Sequence, residues 1–168
     1  EEAGQLACLF HFGEEKTIGV IGPAYGAIPL ALPLAAALEE FFPDIVFFPA
    51  RTEIIIGDNG DKIHIVPDKF KTYYERMNFI IIEDIVNKGA TIREIKELFE
   101  DEARAKIIAA LCIVDRGSQT AEALGVEQYF PYARINMEKY EAISCPLCKA
   151  GIPINTLLGK GKRWVRIF

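Results

Sequence analysis

The chain has 168 residues, 51% of them hydrophobic, and a formal net charge of -5. That length allows one domain with a sizeable core, and the charge leaves no global basic footprint of the kind nucleic-acid binding needs. The most apolar stretch, Ile28 to Leu38, carries Pro29 and Pro33 and falls short of the roughly 18 to 20 residues of a membrane span.

The chain begins at Glu1 without a methionine, which implies a missing or processed N-terminus. Thr17 to Ile21 is the first apolar run bounded by turn residues and reads as a strand. The turn Gly22-Pro23-Ala24-Tyr25-Gly26-Ala27 follows. Ala27 to Glu40 then reads as a helix, with Pro29 suited to its first turn and Pro33 expected to kink it or delay its start. Ile45 to Phe48 is a second strand. Glu53 to Ile56 and Lys62 to Val66 flank Gly57-Asp58-Asn59-Gly60, a strong hairpin turn. The resulting insert, over 51–70, has a polar tip and is expected to project and move. Here His64 reads as an ordinary strand residue facing water.

Phe79 to Ile82 and Ile107 to Val114 are rich in Ile and Val and do not alternate, as in central parallel strands. Between them, Ile92, Ile95, Leu98 and Phe99 share one face of a helix from about Thr91 to Glu102. A short helix at Thr120 to Leu124 should stop at Gly125. Arg163 to Phe168 alternates charged and apolar residues like an edge strand. Strand alternating with helix gives an α/β domain over 1–168, its mainly parallel sheet flanked by helices.

The chemistry concentrates in Phe79-Ile80-Ile81-Ile82-Glu83-Asp84-Ile85-Val86-Asn87-Lys88-Gly89-Ala90-Thr91. A buried strand delivers two carboxylates at its carboxyl end, where open α/β sheets collect ligands. The loop Asn87 to Thr91 wraps a helix N-terminus, whose free amides and dipole favour a phosphate. Gly89 allows close backbone approach, and the Thr91 hydroxyl can donate to a phosphate oxygen or cap the helix. An acid pair before an N-capped helix is common and needs no ligand; the full order of residues is much rarer. Likewise, Gly22 to Ala27 taken alone reads as a tight strand-to-helix connection, and Arg116 as a solvated rim charge.

The segment from Phe79 to Thr91 resembles the signature of type I phosphoribosyltransferases, which bind 5-phosphoribosyl-1-pyrophosphate (PRPP). The run Ile21 to Ala31 resembles the orotate branch of that family. The resemblance implies that Glu83 and Asp84 hold the ribose hydroxyls, directly or through the water shell of Mg²⁺. It implies that Asn87, Lys88, Gly89, Ala90 and Thr91 cradle the 5-phosphate, and that Ala24, Tyr25 and Gly26 grip pyrophosphate. Arg51 matches a basic position before the loop that covers PRPP, which the hairpin resembles. Arg116, in Asp115-Arg116-Gly117-Ser118, is similar to an arginine that meets the base. A guanidinium suits a carboxylated pyrimidine such as orotate. The family also implies a homodimer and, at 140–168, a hood segment that is small or truncated here.

Four cysteines in 168 residues do not make a disulfide scaffold and point to a reducing, cytoplasmic setting. Cys145-Pro146-Leu147-Cys148 has the spacing of half a structural zinc site. Cys8, His11, Cys112 or a partner chain would have to complete it, and Cys112 reads as a core residue. A similar Cys-Pro-Leu-Cys marks one group of orotate phosphoribosyltransferases. The expected activity is transfer of phosphoribosyl from PRPP to orotate. Two other readings stay open. One is a phosphoribosyltransferase for a purine, with Tyr129, Phe130 and Tyr132 available for stacking. The other is an inactive PRPP-binding regulatory module, given Lys88 where the family usually carries threonine.

Overall fold

A computed structural model describes residue 12 and residues 14–138 and 140–153. The chain divides into two compact units, Glu1–Asn136 and Met137–Phe168. The first contains β1 (Thr17–Gly22), α1 (Ile28–Phe41), β2 (Val46–Arg51), β3 (Glu53–Ile56), β4 (Lys62–Ile65), α2 (Asp68–Tyr74) and β5 (Asn78–Val86). It continues with α3 (Ala90–Ala103), β6 (Lys106–Asp115), α4 (Ala121–Leu124) and β7 (Gln128–Arg134). The second unit has a 3₁₀ turn at Ala142–Ser144 and the short helix α5 (Pro146–Lys149). The edge strand expected at Arg163 to Phe168 lies outside the described residues, as do Cys8 and His11.

Five strands form one sheet in the order β2-β1-β5-β6-β7, every neighbouring pair parallel. β3 and β4 form a separate antiparallel hairpin. Successive side chains on a strand face opposite ways, and both faces of this sheet are apolar. Ile21, Phe79, Ile81 and Ala110 pack with Ile92, Ile95 and Phe99 of α3. Ile18, Val20, Ile80 and Ile82 pack with Ala31, Ala35 and Leu38 of α1. Burial on both faces explains why the strands carry unbroken apolar runs.

One irregularity is visible in this alternation. The pairing of β5 with β6 slips from Phe79–Ile107 to Ile80–Ala109. The extra residue lets Ile108 and Ala109 join the same cluster, beside α1.

The helices obey the same demand. Ile92, Ile95, Phe99 and Ala103 are the buried residues of α3 and recur at helical spacing. Tyr74 of α2 reaches into the same layer, its ring 5.0 Å from Phe79 and 5.8 Å from Phe99. Each such fully buried side chain contributes about 1.5–3 kcal/mol relative to exposure. α1 begins at Ile28 and runs through Pro33, so the delay expected from that proline does not occur. Pro33 is exposed, and on that side the Pro29 carbonyl it leaves unpaired can bond water.

The strand order reverses between β1 and β5. From β1 the chain runs outward to β2, then crosses back to β5 and on to β7. Loops leaving β1 and β5 at their carboxyl ends therefore diverge and open a crevice.

Candidate phosphate and sugar site

All the candidate site residues of the first unit rise from this carboxyl edge. Gly22, ending β1, pairs with Arg51, ending β2, and Val86, ending β5, pairs with Asp115, ending β6. The turn after β1 and the acids of β5 meet across the crevice: a β-carbon on Gly26 would lie 2.8 Å from Asp84 Oδ2.

β5 runs on to Val86, so Glu83 and Asp84 sit inside the strand rather than beyond it, as the sequence had suggested. Neighbouring strand residues face opposite ways, and the two acids divide accordingly. Asp84 is exposed and turns toward Gly26. Its Oδ1 also accepts the Ile85 backbone N–H at 2.7 Å. Glu83 is buried, at 8% exposure, and hydrogen-bonds the Thr91 hydroxyl. Burial, reinforced by the nearby Asp84 charge, pushes its pKa from 4.5 up to about 7. Near neutral pH, Asp84 is thus an exposed acid and Glu83 a buried one that is only partly ionised. Thr91 does not cap its helix. The N-cap is Gly89, which has no side chain to do so.

The turn from Asn87 to Gly89 is held from behind. Gln119 Nε2 donates to the Asn87 carbonyl at 3.2 Å, and Arg93 Nη2 donates to the Lys88 carbonyl at 2.8 Å. Gly89 takes a left-handed φ of 68°, and a side chain there would run into Leu124. Among the described residues no backbone carbonyl accepts from the amides of residues 87–91, as expected for the first turn of a helix. Those amides open on a cleft of about 240 Å³ lined by Glu83, Asn87, Lys88, Gly89, Ala90 and Thr91. A 14-residue helix starts at its floor. Backbone donors, a helix dipole and the exposed Lys88 are features that favour an anion.

After β6, Asp115 is 1% exposed. Its carboxylate accepts the Gly117 N–H at 2.8 Å and the Gln119 N–H at 2.9 Å, and Arg134 Nη1 lies 3.5 Å away. This clamp fixes the turn that carries Arg116. The Arg116 Nε is buried without a hydrogen-bond partner. A buried donor left unpaired costs about 1–3 kcal/mol, which a ligand acceptor would recover.

The hairpin departs from expectation at its base. Thr52 is buried and accepts the Ala24 N–H at 3.2 Å, and its hydroxyl lies 2.9 Å from His64 Nδ1. His64 therefore faces inward, not toward water. Arg51 is exposed and lies 3.5 Å from Glu53. Sequence reasoning also missed Gln119 and Arg93 as supports of the turn at 87–89. It missed the Asp115 clamp too, although an Asp two residues before a Gly is a recognised turn signal.

In the second unit, Cys145 and Cys148 are free thiols. A backbone hydrogen bond from Cys148 holds Cys145 below the usual thiol range, and the bond to Cys145 pushes Cys148 up. Among the described residues no cluster of three or more His, Cys, Asp or Glu could hold a metal. The described residues thus do not complete the half zinc site that the pair's spacing offered. Cys112 is buried in β6 as expected, its sulfur 3.1 Å from the Tyr129 hydroxyl.

Comparison with known proteins agrees with this geometry. The orotate phosphoribosyltransferase of Caldicellulosiruptor bescii is 31% identical over 147 residues, 86% of this chain and 67% of that protein. That of Carboxydothermus hydrogenoformans is 31% identical over 135 residues, 80% of this chain and 62% of that one. The chain thus spans about two thirds of the length of these relatives. A hypoxanthine-guanine phosphoribosyl transferase from L. donovani superposes with a TM-score of 0.57 at 12% identity, covering 80% of this chain and 75% of that one. The Trypanosoma cruzi hypoxanthine phosphoribosyltransferase does so with a TM-score of 0.56 at 15% identity, covering 80% and 71%. Residues 6–128 match the Phosphoribosyl transferase domain family, and the chain belongs to that family.

Proposed function

We propose that this protein transfers the 5-phosphoribosyl group of PRPP to orotate and releases pyrophosphate. The observation that carries the proposal is the cleft at residues 87–91, whose amides no backbone carbonyl takes up among the described residues, with Asp84 facing Gly26 across the neighbouring crevice. Relatives at 31% identity are orotate phosphoribosyltransferases.

In this reading Asn87, Lys88, Gly89, Ala90 and Thr91 hold the 5-phosphate, and Asp84 accepts from a ribose hydroxyl. Glu83, partly protonated near neutrality, can supply a donor and carries less charge next to the phosphates than an ordinary carboxylate. Ala24, Tyr25, Gly26 and Arg51 face the pyrophosphate. Arg116 meets the orotate carboxylate, giving its buried Nε an acceptor. The pyrimidine nitrogen forms a bond to the anomeric carbon while the carbon–oxygen bond to pyrophosphate breaks, and pyrophosphate leaves with the electron pair. The ring nitrogen's proton passes to water. The chain's own contribution is positioning and charge stabilisation. Closure of the 51–70 hairpin excludes water from the reactive sugar.

Mg²⁺ fits this donor set. It prefers oxygen ligands, retains water and usually rides on substrate phosphates rather than in a protein cage, and Asp84 is an exposed carboxylate beside that position. When bound, it would offset the negative charge of the departing pyrophosphate.

A second copy of the chain is the proposed partner. An open groove of about 890 Å³ between α1, β2 and α2 is lined by Leu32, Phe48, Phe70 and Tyr73, and Leu32 and Tyr73 are exposed. We place the protein in a reducing, cytoplasmic setting, in keeping with the free thiols of Cys112, Cys145 and Cys148. No helix among the described residues is long and apolar enough to cross a membrane.

The test is pyrophosphate release by purified protein given PRPP, Mg²⁺ and one of orotate, uracil, hypoxanthine or adenine. Release with orotate alone is expected. Release with hypoxanthine or adenine instead would transfer the protein to purine chemistry, and PRPP binding without turnover would make it a regulatory module.

A further inference from the structure

Two polar side chains take no part in the mechanism above, yet they tie three separate pieces of chain together. Thr52 stands between β2 and β3 and is 1% exposed. A buried hydroxyl must find partners or cost stability. Its Oγ1 accepts the Ala24 N–H, from the turn after β1, and lies 2.9 Å from His64 Nδ1, on β4. The His64 backbone N–H in turn donates to Glu94 Oε1 of α3 at 3.3 Å. The hairpin is thereby fastened to the turn on one side of the crevice and to the phosphate helix on the other.

The chemistry of the contact accounts for both partners of the hydroxyl. A hydroxyl has one proton to donate and lone pairs to accept with. With Ala24 N–H occupying one lone pair, Thr52 can donate its proton to Nδ1 or accept from Nδ1–H on its second lone pair, according to the His64 tautomer. The Ala24 amide is consequently committed to protein, and its orientation determines how the following Tyr25 and Gly26 backbone is presented. Gly26 is the residue that faces Asp84 across the crevice.

We infer that Thr52 and His64 are positioning residues for the pyrophosphate group: Thr52 orients the Ala24 peptide, His64 orients Thr52, and the docked hairpin thus shapes the turn at residues 22–27. The inference rests on the proposal that this turn receives the pyrophosphate of PRPP. It adds that the covering hairpin acts on the anion turn through a specific hydrogen-bonded pair.

Calorimetric binding of PRPP, inorganic pyrophosphate and ribose 5-phosphate tests it, with melting temperature as a check on folding. Thr52→Val removes the hydroxyl at nearly constant volume. It should weaken PRPP and pyrophosphate about 5- to 10-fold, the effect of one hydrogen bond, and leave ribose 5-phosphate unchanged. Thr52→Ser should restore affinity. His64→Asn, which keeps an acceptor near the Nδ1 position, should bind like the parent, whereas His64→Leu should reproduce the loss. Equal weakening of all three ligands, or none in any variant, would overturn the inference. If the parent protein bound ribose 5-phosphate but neither pyrophosphate nor PRPP, the underlying assignment of the turn would itself fall.

Discussion

A β-carbon placed on Gly117 would lie 1.5 Å from the carbonyl oxygen of Asn87. The turn after β6 is therefore pressed directly onto the turn after β5, backbone against backbone, and no flexible side chain can yield between them. Gly117→Ala must separate the two turns. We expect a loss of about 2–4 kcal/mol, typical of overpacking at a rigid contact, together with loss of PRPP binding. Urea unfolding and a PRPP titration measure the two effects; a variant with parental values in both would contradict this packing.

Glu83 predicts a pH dependence. Its folded pKa of about 7 lies above the ordinary 4.5, so the folded state binds the proton more tightly than the unfolded chain. Below about pH 4.5 both states are protonated and this group costs nothing. As pH rises toward 7 the unfolded chain gains by ionising and stability falls, reaching a penalty on the order of 3 kcal/mol above pH 7. Glu83→Gln keeps an acceptor for the Thr91 hydroxyl and cannot ionise. It should be more stable than the parent at pH 8 and nearly equal at pH 4.5. Denaturation at both pH values reads this directly, and parallel curves would show that Glu83 does not titrate in this range.

Asp115 is expected to matter more for the base than for the sugar. Asp115→Asn leaves one oxygen to serve Gly117 and Gln119, puts an amide where the other donor points, and discards the ion pair with Arg134. Charge-assisted bonds of this kind are worth about 1.5–3 kcal/mol. Orotate affinity should drop by one to two orders of magnitude, with a smaller change for PRPP. An equal drop for both ligands would show that the clamp supports the whole edge rather than the turn of Arg116.

Asp84→Asn should retain the fold, since the side chain is exposed, and lower turnover by at least about 100-fold, the scale of losing one charge-stabilising group. Single-turnover pyrophosphate release measures it. Unchanged turnover would remove Asp84 from the mechanism.

What could be read from the sequence follows from how local each signal is. The apolar runs of β1, β5 and β6 and the stripe Ile92, Ile95, Phe99 announce themselves because burial on two faces or one face has its own periodicity. The strand–turn–helix at 79–103 was legible because strand, acids, glycine and threonine follow one another along the chain. α2 was not, since its seven residues after Pro67 are too few for periodicity to show. β7 was passed over because Tyr129, Phe130 and Tyr132 suggested stacking partners for a base. The Gln119 bond to Asn87 spans 32 residues, and that of Thr52 to Ala24 spans 28. Side chains that act at such range leave no mark on local pattern, and His64 was misjudged for that reason.

The order β2-β1-β5-β6-β7 has a consequence for how such a protein can change. Parallel strands stand about 4.8 Å apart, so under the proposed function each part of the ligand would be met by its own rail: pyrophosphate over β1 and β2, the sugar phosphate over β5, the ring over β6. Editing the peptide that leaves one rail alters one ligand moiety while the spacing of the others is preserved by the hydrogen-bonded ladder beneath. Such a scaffold can exchange its acceptor without relearning its donor.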